Sequence, residues 1–128
     1  MRQAPVKLLC KDTECRYLLA SNGCSHLSGI DLIGKSDVDI QPYKALGKKF
    51  LADDLRVIRE KTPYKYIERM QFGDKAYYYE IAREPLFDHS GEVVGLVGTV
   101  IDVTELVMLR EFYREKCMLD LLTKVHRF

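Results

Sequence analysis

Nineteen carboxylates, three histidines and four cysteines are the groups in this 128-residue chain best suited to chemistry. Their spacing argues against catalysis. The adjacent pair Asp53-Asp54 falls in a helical stretch, where neighbours point about 100° apart and do not converge on a substrate. Cys10, Cys15, Cys24 and Cys117 include no CxxC pair and resemble neither a zinc site nor a disulfide framework, so they read as reduced thiols. His26, His89 and His126 lie before the long helix, in a turn and in the tail, and read as incidental. There is no nucleophile elbow, no HExxH and no glycine-rich dinucleotide fingerprint. The chain is therefore read as a non-enzyme with no catalytic residue and no metal site.

Asp54 is the informative carboxylate. On a helical wheel of residues 42–61, Tyr43, Leu46, Phe50, Leu51, Leu55, Val57 and Ile58 share one half. Lys48, Lys49, Asp53, Arg56, Arg59 and Glu60 share the other. Asp54 falls in the apolar arc, and a carboxylate on the core side must be paired or hydrogen-bonded. Two readings stand. Either it bonds backbone donors or an arginine such as Arg83, or it lines a pocket and meets a polar ligand.

The bulk numbers fit one globular domain: 47% hydrophobic and 30% charged residues, with a net charge of +1. That balance gives no footprint for nucleic acid or an anionic membrane. No apolar run approaches the ~20 residues that span a bilayer, and the N-terminus lacks a signal peptide's pattern. A cytoplasmic location is expected, and an anchor upstream of the segment stays open.

The elements that would hold these residues follow from turn signals. Val6-Lys7-Leu8-Leu9-Cys10 and Arg16-Tyr17-Leu18-Leu19-Ala20 bracket a polar turn, Lys11-Asp12-Thr13-Glu14, and read as a β-hairpin. Residues 24–41, broken by Gly29 and Gly34, read as short helical turns. Pro42 opens a helix that Thr62-Pro63 stops. Strands follow over 64–72, with Tyr64, Tyr66, Met70 and Phe72 on one face, then over 76–86 and 93–103. Turns between them imply antiparallel neighbours. The order β-β-(short helices)-α-β-β-β predicts an α+β fold: a five-stranded antiparallel sheet with helices on one face. A last helix runs from Glu105 to about Leu121.

Five segments in this order resemble the PAS domain family. Asp12-Thr13-Glu14-Cys15-Arg16-Tyr17-Leu18-Leu19-Ala20-Ser21-Asn22 looks like the opening "D-x-x-G-x-Y-L-x-x-N", with Cys15 where glycine is usual. Leu32-Ile33-Gly34-Lys35-Ser36 resembles "LIGKS", and Asp54-Leu55-Arg56-Val57-Ile58 resembles "D-x-x-V-L". Residues 83–95 look like "R-x-P-L-x-D-x-x-G-x-V-x-G", and Asp102-Val103-Thr104-Glu105 resembles "D-I-T-E". Thr104 can cap the outgoing helix, with Glu105 in its first turn. A bond from Asp102 near Thr104 would tie strand to helix, making Asp102, Thr104 and Glu105 a signal-coupling point. The alternative is that they only start a helix well.

The resemblance implies a sensory module. Haem-binding members place a histidine on the long helix, which has none here. Light-sensing flavin members carry "N-C-R-F-L", and residues 34–41 hold no cysteine. Haem and flavin are disfavoured. A small organic ligand between helix and sheet remains possible, with Asp54, Phe50, Tyr66, Tyr79 and Arg83 as its lining. Residues 120–125 resemble the "D-x-L-T-G-L" that opens a GGDEF diguanylate cyclase domain, with Lys124 in place of glycine. The resemblance thus implies a sensor over 1–105, a linker helix over 106–122 and the start of an output domain over 123–128. A histidine kinase or transcriptional regulator is the alternative parent, and a dimerisation module without ligand the alternative role. The linker carries two apolar stripes, Met108, Phe112, Leu119, Leu122 and Leu106, Leu109, Tyr113, so a homodimer is expected.

Overall fold

The computed structural model describes residues 6–21, 29–41 and 44–126. In chain order these form β1 (Val6–Lys11), β2 (Tyr17–Ala20), α1 (Gly29–Leu32), α2 (Asp37–Ile40), α3 (Lys44–Glu60), β3 (Tyr64–Phe72), β4 (Lys75–Phe87), β5 (Val93–Asp102) and α4 (Thr104–His126). The five strands make one sheet in the order β2-β1-β5-β4-β3, and every adjacent pair is antiparallel. The α+β fold expected from the sequence is the fold observed. Pro42, Tyr43, Cys24 and His26 lie outside the described residues.

The turns are specified locally. Gly73 at φ 64° opens the two-residue β3–β4 connection, and a glycine first with φ > 0 suits the right-handed twist of a hairpin. In the β4–β5 turn, Asp88 accepts the N–H groups of Ser90 and Glu92 and the Ser90 hydroxyl. Between β1 and β2, Asp12 accepts the N–H groups of Glu14 and Arg16. Cys15 there sits at φ 62°. The residue that replaces the family's glycine keeps a left-handed backbone.

α3 packs across the sheet's inner face through Phe50, Asp54 and Val57, with Gly47 against α2, and all four are buried. They meet a core that includes Leu9, Tyr17, Ile81 and Leu96. Lys61 ends the helix at φ 58°, its N–H on the Val57 carbonyl, as a left-handed C-terminal residue does.

Three sequence expectations need correction. Leu55 is not on the packed side of α3: it is 40% exposed, because the helix rests on a narrow stripe centred on Phe50, Asp54 and Val57. Phe72 does alternate onto the face of Tyr64, Tyr66 and Met70 as expected, while staying 48% exposed. α4 runs to His126 as one helix and passes the expected stop near Leu121. Lys11 is not turn punctuation. It closes β1 and is 0% exposed.

Candidate functional site

The buried Lys11 anchors the polar centre of the domain. Alternation along β1 turns Leu9 and Lys11 to the inner face. A register shift after Cys10 sets Lys11 opposite Tyr17 of β2. The Lys11 ammonium lies 2.5 Å from an oxygen of Asp37, at the start of α2, and 2.5 Å from an oxygen of Asp54, mid-α3. It also sits 4.6 Å from the centre of the Tyr17 ring.

Each carboxylate has a second support. The Tyr17 hydroxyl donates to the other Asp37 oxygen at 2.8 Å. Arg83 Nε donates to the other Asp54 oxygen at 3.1 Å, and the Tyr64 hydroxyl stands 3.5 Å from that oxygen. Arg83 further donates to the carbonyls of Ala82 and Thr99. Lys11, Asp37, Asp54 and Arg83 are all buried. Two cations face two anions, and among the described residues no buried side-chain nitrogen or oxygen lacks a hydrogen-bond partner. Such pairing is what makes buried charge tolerable.

Two glycines make room for this cluster. Gly98 of β5 lies opposite Arg83, and a Cβ there would come within 2.5 Å of the guanidinium. A Cβ on Gly47 would come within 2.7 Å of the Asp37 carbonyl oxygen. The first absence lets Arg83 lie flat on the sheet, and the second lets α3 press against α2 so that Asp37 and Asp54 converge.

The surroundings favour neutral forms of the nearby acids. Burial, then the Asp37 charge and its hydrogen bond, push the Tyr17 phenol far up. Burial and the Asp54 charge do the same to Tyr64. Burial, reinforced by Asp54, pushes the Cys15 thiol up to about 12. None of these groups is set up as a nucleophile or base at neutral pH.

Of the residues named as a ligand lining, Asp54 and Arg83 meet in this cluster, and Phe50 is buried beside them on α3. Tyr66 stacks on Tyr64 at 5.3 Å and takes a hydrogen bond from Lys49 instead. Tyr79 pairs with Glu68 and Asp102 toward the other end of β4, four residues or about 13 Å from Arg83 at strand rise. Lys11, Asp37, Tyr17 and Tyr64 were not foreseen. The one sequence signal for Lys11 is its period-2 spacing from Leu9.

A separate groove of about 430 Å³ opens between the start of α3 and the end of β3, with Leu46, Met70 and Phe72 among its apolar lining and Lys49 and Glu68 among its polar lining. Lys49 bonds Glu68 at 2.9 Å there. Among the described residues no group of three or more His, Cys, Asp or Glu is placed to hold a metal ion.

At the end of β5, the Asp102 carboxylate accepts the Thr104 N–H at 2.9 Å and its hydroxyl at 2.6 Å. The same hydroxyl accepts the Tyr78 N–H of β4 at 3.0 Å, and the Val103 N–H bonds the Tyr78 carbonyl. Thr104 therefore does not cap α4 with its side chain. Asp102 takes the first free N–H, and Thr104 ties the helix back to β4. Glu105 is exposed in the first helical turn.

A family model described as the PAS fold matches residues 1–107. The chain belongs to the PAS fold family. Histidine kinase 5 of Arabidopsis thaliana is 30% identical over 115 residues, covering 87% of this chain and 12% of that protein. The chain thus spans about an eighth of the length of that relative. Among solved structures, the PAS domain of Bordetella pertussis BvgS superposes with a TM-score of 0.69 at 22% identity, covering 88% of each chain. Vibrio cholerae VqmA, solved as a dimer, gives 0.68 at 23%, covering 81% of this chain and 48% of that one. VqmA has also been solved as a complex with ligand and DNA. As a PAS module the chain is a sensory, signal-transducing domain, without catalytic function of its own. Among its described residues no helix is long and apolar enough to cross a membrane.

Proposed function

We propose that this PAS domain is the input module of a longer signalling protein: it pairs with a second copy, reads a small organic molecule and acts through α4 on an output domain of the same polypeptide. The observation that carries the reading is the junction at Asp102 and Thr104. One hydroxyl bridges β4, the end of β5 and the first turn of α4, so a shift in the sheet must reorient the helix. Beyond that turn, Leu106, Met108, Leu109, Phe112, Leu119 and Leu122 are all at least half exposed. Two exposed apolar stripes of this kind belong in an interface, and symmetric pairing is the commonest solution.

Residues 1–105 act as sensor, 106–122 as linker and 123–128 as the approach to the output domain. The Arabidopsis relative favours a histidine kinase as the parent. The diguanylate cyclase reading rests only on the Asp120–Val125 resemblance. The groove beside Leu46, Met70 and Phe72 suits a ligand with an apolar body, and VqmA's ligand complex supports a sensing role. Haem, flavin and metal have no part in this reading.

Sedimentation of the full chain and of a chain ending at Glu105, at matched concentration, tests it. The full chain should dimerise and the short one should dissociate more readily. A monomeric full chain, or a dimer indifferent to truncation, would remove α4 from the interface.

A further inference from the structure

The cluster beneath α3 has a feature that sensing through the groove does not use. Two carboxylates from different elements and one aromatic face converge on a single ammonium, and that ammonium is the chain's own. We propose that the Asp37–Asp54 pocket is a receptor site for a primary alkylammonium, filled in the native protein by Lys11.

The occupant defines the ligand class. Lys11 Nζ is 2.5 Å from one oxygen of Asp37 and 2.5 Å from one of Asp54, with the Tyr17 ring centre at 4.6 Å. Two anionic acceptors and a π face match a compact –NH3+ group with three donors. A quaternary ammonium lacks the N–H donors, and an alcohol of the same shape lacks the charge.

The pocket is built independently of its occupant. Tyr17 holds the second oxygen of Asp37 and Arg83 the second oxygen of Asp54. The Lys11 backbone is fixed by ladders to both β2 and β5. Shortening the side chain leaves the receptor in place, with one net negative charge and a channel along the missing methylenes. The native protein excludes free amines because a tethered ammonium competes at high effective concentration.

Lys11→Ala removes the stem beyond Cβ, so n-propylammonium is the matching probe. The variant should melt on the order of 10 °C below the parent chain. n-Propylammonium chloride should recover on the order of 5 °C of this, with saturation. n-Propanol, tetramethylammonium and sodium chloride at equal concentration should not. The parent chain should be unmoved by all four, and so should Lys11→Met, whose side chain fills the channel. If Lys11→Ala does not fold alone, far-UV circular dichroism should show it folding in n-propylammonium only. Equal response to propanol or salt, an equal shift in Lys11→Met, or no recovery and no folding in amine would overturn the proposal.

Discussion

Two polar networks tie this sheet to its helices, and they are built on opposite principles. Lys11, Asp37, Asp54 and Arg83 are sealed from water, and each carboxylate is held from two sides. Asp102 and Thr104 form the other network at the rim, where Asp102 is exposed and one hydroxyl serves both the sheet and α4. Breaking a pair inside the first leaves an uncompensated charge in a dry interior. Breaking the second exposes groups that water can solvate. The first fixes the architecture, whereas the second is weak enough to change state, as the proposed transmitting joint requires.

The sharpest way to break this contrast is Asp54→Leu. Lys11 and Arg83 would lose their shared anion, and removal of one partner from a buried pair costs about 3–5 kcal/mol. Urea unfolding should show a loss in that range. A loss under about 1 kcal/mol, the range of exposed pairs, would mean that the cluster is wetter than its burial implies.

Gly98→Ala strikes the same cluster without touching a charge. The added methyl meets the Arg83 guanidinium, and overpacking of this kind costs about 1–3 kcal/mol. Combined with Arg83→Ala the glycine substitution should cost less, because the guanidinium has gone and only the Ala82 carbonyl, 3.0 Å from the added methyl, remains in its way. Additive losses would place the strain on the Ala82 carbonyl of β4 and not on the guanidinium.

Thr104→Val tests the other side. It deprives the Tyr78 N–H of its acceptor and Asp102 of a donor, at about 1 kcal/mol. The fold should survive, while the parent protein's output loses its response to signal. A variant with full response would return Asp102 and Thr104 to the role of a helix start.

Much of this was legible in the sequence because the signals are local. Turn residues placed the strands, and the wheel turned Asp54 inward, where Arg83 is its partner. The partners it missed are long-range. A lysine at a strand end next to Asp12-Thr13-Glu14 reads as polar punctuation, and only its two-residue spacing from Leu9 marks it as inward. Asp37 lies in a four-residue helix with no period to read. Leu55 misled the wheel because an apolar residue was assumed to face the core, although α3 is wide enough to leave it in water. α4 overran its expected end because nothing in Leu122-Thr123-Lys124 breaks a helix.

The smallest effect at neutral pH concerns Cys15, which sits between the two principles: buried beside the cluster, yet held at φ 62°. A non-glycine residue pays about 1–2 kcal/mol in that conformation, so Cys15→Gly relaxes the backbone while losing a buried thiol of similar worth. Stability at pH 7 should change by less than about 1 kcal/mol as the two terms offset. Alkaline pH separates them. Burial raises the thiol from 9.0 to about 12 in the fold, so the unfolded chain loses its proton first. Stability from this group is complete below pH 9 and is lost as pH rises toward 12, by up to about 1.4 kcal/mol per unit. Tyr17 and Tyr64, also raised by burial from 10.0, add their own loss only above that value. Between pH 9 and 10 the parent chain should therefore weaken while Cys15→Gly holds steady. Parallel curves through that interval would show that the Cys15 thiol ionises as freely in the fold as outside it.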